Sequence, residues 1–196
     1  MYVVVIGLGQ VGRHLVRTLE LERHDIAAID SCAEAVAEVE EHHDVMTLVG
    51  YGASDTVLRS AEVSRADLVV AVTDNDEVNL IAALASRQIG AKRVIARVQS
   101  QEWAQGGEGV RYELLGVDVV INPQILVAAE ITKIARSHGA LDVIELADDR
   151  IEMVQVELSS SSKMVGVPIA DLDMPADTLV AAVVVNGVLE VPGGTD

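Results

Sequence analysis

Six short runs rich in β-branched residues, separated by amphipathic stretches of helical length, occupy the first two thirds of the chain and leave it few possible folds. The runs are residues 2–6, 25–30, 46–49, 68–73, 93–98 and 117–121. Strands alternating with helices in this way form parallel βαβ units whose crossover helices cover both faces of the sheet. The expected fold class is therefore α/β, a doubly wound parallel sheet. Local chemistry marks the helices between the strands. Val11, Leu15 and Leu19 recur at four-residue intervals as a buried stripe, and Ser31 with Glu34 three residues on reads as a capping box. Thr73-Asp74-Asn75-Asp76-Glu77 puts cap residues and negative charge at the start of a helix that runs to about Gln88 and ends at Gly90. Asn122-Pro123 opens a further helix, to about Ser137, which His138-Gly139 closes.

Beyond that helix the texture changes. Residues 140–196 hold two basic residues, Arg150 and Lys163, against eleven acidic ones. They alternate in β fashion at 151–158 and 179–185, and Asn186-Gly187 reads as a hairpin turn leading into a strand at 188–191. Two domains are expected: 1–138, which includes the long helix, and a small α+β C-terminal module over 139–196. The tail stops at Pro192-Gly193-Gly194-Thr195-Asp196 with no closing strand, so a truncated module is expected.

Charge and composition narrow the function. With 14 Lys and Arg against 31 Asp and Glu, a net charge of -17 opposes binding to nucleic acid or to an anionic bilayer. No nucleic-acid partner is expected. The single cysteine, Cys32, permits no internal disulfide and fits a reducing cytoplasm. The longest apolar runs, 68–72 and 179–185, are strand-sized, and the chain enters its first strand without a targeting segment, so a cytoplasmic location is expected.

Gly7-Leu8-Gly9-Gln10-Val11-Gly12 satisfies GxGxxG directly after a strand and opens a helix, the context the Rossmann dinucleotide motif requires. The first glycine permits the turn, the second lets backbone approach a pyrophosphate, and the third lets helix pack on strand. Asp30 stands 18 residues after Gly12, at the end of the second strand, where a carboxylate accepts from ribose hydroxyls. No Lys or Arg lies between Ile29 and Glu41 to neutralise a 2′-phosphate. NAD, NADH, ATP and ADP fit this reading and NADP does not. Thr73, Asp74 and Arg97, at the carboxyl ends of the fourth and fifth strands, are expected in the same crevice. Arg97 would there meet either a phosphate or the carboxylate of Asp74 or Asp76. A catalytic constellation is missing from the sequence: His14, His24, His42, His43 and His138 read as surface or capping residues, Cys32 as a packing residue, and HExxH, CxxC and serine-elbow motifs are absent. A nucleotide site without chemistry suggests a sensor rather than an enzyme.

These segments, together with Val49-Gly50-Tyr51-Gly52-Ala53-Ser54, residues 66–79, Val94-Ile95-Ala96-Arg97-Val98 and residues 116–124, resemble the RCK/KTN family, nucleotide-sensing regulators of potassium transport. The tail, with Val165-Gly166-Val167-Pro168-Ile169, Leu172 and a hairpin ending at Pro192, resembles that family's C-terminal module. The resemblance implies a cytoplasmic regulatory subunit held at the inner membrane face by an integral-membrane potassium transporter subunit. It implies a homo-oligomer, from dimer to tetramer or octameric ring, whose shape responds to nucleotide and gates the pore. It also implies a binding set of Gly7, Leu8, Gly9, Gln10, Val11, Gly12, Asp30, Ser31, Tyr51, Gly52, Ala53, Thr73, Asp74, Asn75, Glu77 and Arg97, with no metal. Gln10 stands where some ATP-preferring relatives have a basic residue, and Gln124 where those relatives have a glutamate near a divalent ion. Tyr51 stands where relatives often have Asp or Asn near the adenine. NAD or NADH is therefore expected ahead of ATP or ADP. The alternatives are an NAD-dependent oxidoreductase and a regulator of another cation transporter.

Overall fold

Tyr2–Ile6 forms β1, every residue of which is buried, and the rest of the sheet is laid out around it. A strand covered on both faces in this way belongs at the centre of a parallel sheet. The computed structural model describes residues 1–100, 103, 116–136, 140–147 and 150–193. They fall into two compact units, Met1–Ala129 and Glu130–Asp196.

The first unit follows β1 with β2 (Asp25–Asp30), β3 (Met46–Val49), β4 (Leu68–Ala71), β5 (Val94–Arg97) and β6 (Val119–Ile121). All pairings are parallel, and the order across the sheet is β3-β2-β1-β4-β5-β6. This is the doubly wound Rossmann-like sheet expected from the alternating pattern. Its helices are α1 (Gln10–Leu21), α2 (Ala33–His42), α3 (Asp55–Ser60) and α4 (Asp76–Ile89), and α5 (Pro123–Arg136) follows β6. The side chains of β1 divide by parity. Tyr2, Val4 and Ile6 join Leu58, Leu80, Ala82 and Ala83 in one core layer, while Val3 and Val5 join Val16, Val36 and Val39 in the other.

Two local readings change. The buried face of α1 is Gly12 and Val16, flanked by partly buried Leu15 and Leu19, and Val11 is 42% exposed. Because Gly12 must lie against the end of β1, the inward stripe is set one residue later than periodicity alone suggests. The N-cap of α2 is Cys32, without a side-chain cap, so Ser31 and Glu34 make no capping box. Asp30 supplies what the cap does not: its Oδ1 accepts from the Cys32 amide at 2.8 Å. The α4 signals hold, with Asn75 as N-cap accepting from the Val78 amide at 2.8 Å and Gly90, at φ +124°, ending the helix. Asn122 caps α5, its Oδ1 accepting from the amides of Gln124 and Ile125.

The second unit contains two antiparallel pairs. β7 (Ala140–Leu146), which the alternation did not mark, pairs with β8 (Ile151–Val156), and β9 (Val183–Val185) pairs with β10 (Val188–Glu190). Asn186 and Gly187 both take positive φ, the geometry the Asn-Gly hairpin signal requires. The β9 pairing starts later than the apolar run, which begins at Leu179. Every residue of β8 is exposed, apolar Ile151, Met153, Val154 and Val156 on both faces included. Closure of the helix by His138-Gly139 falls outside the described residues. Among the described residues, no helix is long and apolar enough to cross a membrane.

At the amino ends of the strands, Asp67 binds three segments together. It accepts from the Tyr2 amide at 2.8 Å and from Lys92 Nζ at 2.7 Å. The Lys92 hydrogen bond, and after it that from Tyr2, holds the Asp67 carboxyl below its ordinary value. A carboxyl lowered by folding stabilises the protein above its unfolded pKa and loses that contribution as pH falls through the folded value. Asp67→Ala is therefore expected to lower Tm at pH 7, and the gap from the unsubstituted chain to close between about pH 4 and more acid values. Thermal unfolding across pH measures this.

Candidate functional site

The order β3-β2-β1-β4-β5-β6 reverses direction between β1 and β4, and in open α/β sheets ligands bind outside the strand carboxyl ends at this switch point. Residues 7–12 lie there. Gly7 turns the chain out of β1 at φ +97°, its amide donating to Ile29 O at 2.8 Å. A Cβ at Gly7 would stand 2.7 Å from Thr73 N, so the loops after β1 and β4 touch. A Cβ at Gly12 would stand 1.8 Å from the Gly7 carbonyl oxygen, so α1 can begin beside β1 only if that position is glycine.

Gly9 is different. It is the N-cap of α1, has no side-chain cap to offer, and a Cβ there would meet nothing within 4 Å. The protein's own packing does not call for glycine at this position. The open space lies over the uncapped start of a 12-residue helix with no acidic residue in its first turn, where unpaired amides and the helix dipole favour an anion. Gln10 and Val11 begin that turn and are exposed, whereas Leu8 is buried and fixes the loop.

Asp30 closes the β2 side. Its Oδ2 accepts from the Leu8 amide at 2.6 Å and its Oδ1 from the Cys32 amide at 2.8 Å. Two backbone donors orient the carboxylate, and each oxygen keeps a lone pair for a further hydroxyl. Ser31 beside it is exposed. From β3, Gly50 donates to Asp30 O at 2.7 Å, and a Cβ at Gly52 would lie 2.3 Å from Ile6 Cγ2, so this turn packs on the end of β1. Tyr51 in the same turn is exposed and Ala53 partly buried.

On the β4 side, Thr73 is partly buried, while Asp74, Asn75 and Glu77 are exposed at the start of α4. Asn75 is spent on the helix cap. Arg97 ends β5, and its Nε is buried without a hydrogen-bond partner among the described residues. The bridge from Arg97 to Asp74 or Asp76 is not formed among those residues: Asp76 instead accepts from the amides of Gln99 and Ser100. Gly7 thus abuts Thr73, Leu8 is bonded to Asp30, Gly52 packs on Ile6 next to Gly7, and Arg97 is tied to Thr73 through its carbonyl by Asn79. Glu77 has no such link to the other candidate residues among the described ones.

Asn79, in the segment 66–79 but outside the expected binding set, is a further residue of the site. It is wholly buried and bonds the backbone of both Thr73 and Arg97. The signal was present: Asn79 shares a helix face with buried Leu80, Ala82, Ala83 and Ser86, where an unpaired amide would be costly. His43 pairs with Glu20 at 2.6 Å, His24 with Glu22 at 3.3 Å and His42 with the Glu38 carbonyl at 2.8 Å, His14 is exposed on α1, and His138 lies outside the described residues. The hydrogen bond from His43 lowers the Glu20 carboxyl. Among the described residues, no group of three or more His, Cys, Asp or Glu is arranged to hold a metal ion.

The two glycines separate packing from ligand space. Gly12→Ala is expected to destabilise the fold by about 1–3 kcal/mol or prevent folding. Gly9→Ala is expected to cost less than about 1 kcal/mol, the cost of a poorer cap. Denaturant unfolding of the two variants gives the comparison.

The TrkA-N domain family model matches residues 3–123. A Trk system potassium uptake protein TrkA homolog from Archaeoglobus fulgidus is 38% identical over 194 residues, covering 99% of this chain and 44% of the relative. A homolog of the same description from Methanothermobacter thermautotrophicus is 31% identical over 196 residues, covering 98% of this chain and 86% of the relative. The chain thus spans less than half the length of the Archaeoglobus relative and most of the Methanothermobacter one. Among solved structures, the GsuK channel bound to NAD superposes with a TM-score of 0.59 at 20% identity, over 75% of this chain and 25% of that one, a likeness of fold. With the family model matching residues 3–123, more than half of the chain, and a relative 31% identical covered to 86% of its length, the chain belongs to the TrkA-N domain family.

Proposed function

We propose that the crevice between the loops after β1 and β4 binds an adenosine nucleotide, NAD or NADH ahead of ATP or ADP, and that the chain is a regulatory rather than catalytic part of a potassium transport system. The observation that carries the reading is Gly9, a glycine that no neighbouring protein atom requires, over the uncapped start of α1. The Gly7–Gly12 backbone would hold the pyrophosphate, Asp30 the adenosine ribose, and Arg97 a phosphate. Gln10, Val11, Ser31, Tyr51, Gly52, Ala53, Thr73, Asp74, Asn75 and Glu77 would border the ligand. The NAD-bound GsuK channel, alike in fold, supports NAD as the first ligand to test.

The names of the relatives support potassium uptake as the process; in this reading the partner is an integral-membrane potassium transporter subunit and this chain is cytoplasmic at the inner face. We assign residues 1–138 to the nucleotide-binding domain and 139–196 to the C-terminal module. Regulation would work by differential affinity, since a ligand shifts a conformational equilibrium only as far as it prefers one state. Self-association is part of the reading. α5 exposes Ile125, Leu126, Val127, Ile131 and Ile134 over a wide arc, Ile134 at 66%, and β8 exposes apolar residues on both faces. Surfaces of this kind are ordinarily covered. The homo-oligomer would extend from a dimer to a tetramer or octameric ring.

Titration calorimetry with NADH, corrected to folded protein, tests the site. Asp30→Ala should weaken binding by about 1.5–3 kcal/mol, the range for hydrogen bonds to a charged group. Arg97→Ala should weaken it while leaving the ligand-free fold intact. Unchanged affinity removes either residue from the site, and steady-state hydride turnover would favour an oxidoreductase instead. Sedimentation at micromolar concentration and physiological salt should show at least a dimer, and a monomer alone contradicts the assembly reading.

A further inference from the structure

Asn79 uses its whole hydrogen-bonding capacity on backbone and on one neighbouring hydroxyl, although it sits on a helix. Its Oδ1 accepts from the Thr73 amide at 2.9 Å and the Thr73 hydroxyl at 2.7 Å. Its Nδ2 donates to the carbonyls of Thr73 at 3.1 Å and Arg97 at 2.9 Å. Two acceptor and two donor bonds fill an amide side chain. The ends of β4 and β5 are therefore held at a fixed separation by one buried residue. Thr73 is also the backbone that Gly7 abuts.

One turn earlier on α4, Asp76 accepts from the amides of Gln99, at 2.8 and 3.0 Å, and Ser100, at 2.9 Å. Asn122 takes Gln99 from the other side, its Nδ2 donating to the Gln99 carbonyl at 3.0 Å. The Oδ1 of Asn122 accepts from the amides of Gln124 and Ile125 at 3.0 and 3.1 Å. From the packing contact of Gly7 on Thr73, polar contacts run through Asn79, along the first turn of α4 to Asp76, and through Gln99 and Asn122 to the first turn of α5. Apart from the Gly7–Thr73 packing contact and the α4 backbone between Asp76 and Asn79, each link is a short side chain holding backbone, so no long flexible side chain lies between the two ends.

We propose that Asn79, Asp76 and Asn122 are positioning residues that join the wall of the crevice to the first turn of α5, so that ligand in the crevice alters the order of that turn. The ligand arm rests on the nucleotide reading above; the relay itself does not. The coupling between the two ends is measurable as the non-additivity of paired substitutions.

Hydrogen exchange at the Gln124 and Ile125 amides reports the far end of the relay in the full chain. Without ligand, Asn79→Ser should speed that exchange at least about threefold, but by less than about 1.5-fold when Asp76→Ala is already present. Should the serine variant not fold, Asn79→Asp, which keeps the acceptor and removes both donors, takes its place. Equal effects in the two backgrounds overturn the relay whatever the ligand does. With saturating NADH, exchange at the two amides should slow at least about threefold in the unsubstituted chain. Asp76→Ala should keep NADH affinity within about twofold and lose the slowing. Slowing that persists in Asp76→Ala, or its absence in NADH-bound unsubstituted chain, overturns the inference. If NADH, ADP and ATP all fail to bind while the ligand-free coupling holds, the nucleotide reading fails and the relay stands.

Discussion

The approach of Gly12 to the Gly7 carbonyl is the constraint on which the rest of the first unit depends. A methyl group in place of the Gly12 hydrogen would overlap that oxygen, so only glycine lets α1 start directly against the end of β1. With α1 seated, Gly12 and Val16 turn inward and the odd residues of β1 acquire their core layer. The same closeness brings Leu8 to Asp30, which locks the loop to the end of β2. Packing of the core and shape of the crevice are therefore consequences of one contact, and they cannot be varied independently.

Around that contact, polar side chains serve backbone more than one another. Asp30, Asp76, Asn79 and Asn122 each bond main-chain groups at the ends of strands or starts of helices. Loops at sheet ends carry amides and carbonyls without ladder partners, and a buried group left unpaired costs about 1–3 kcal/mol. Short carboxylate and amide side chains reach such groups at little cost in side-chain entropy. The result is a hydrogen-bonded rim at the carboxyl end of the sheet, the frame of the proposed ligand site.

The second unit has a different economy. Its two-stranded pairs expose apolar side chains, and two-stranded sheets are marginal in water without further cover. The first unit closes two core layers of its own on either side of six strands. The difference matches the proposed division of roles, with one unit holding ligand and the other, together with α5, offering surface for assembly.

Six strands and the glycine motif were legible in the sequence because period-2 apolar runs and GxGxxG depend on local geometry, and the Asn75, Gly90 and Asn186-Gly187 signals act within a few residues. Val11 shows the limit of that legibility: periodicity marked it as buried, but the turn of α1 is set by the contact of Gly12 with a residue on another element. Ser31 and Glu34 carried a capping pattern that Asp30 displaced, because a strand-end carboxylate already held the Cys32 amide. Strand β7 went unmarked since its partner, not its own alternation, defines it. The sequence by itself determined the strand-helix order, the doubly wound class and the position of the glycine turn, all products of local periodicity and sterics. Only the tertiary structure decided that Arg97 is not bridged to Asp76 among the described residues, that Gly9 faces open space, and that Asn79 joins two strand ends, because each depends on segments far apart in the chain meeting at one rim.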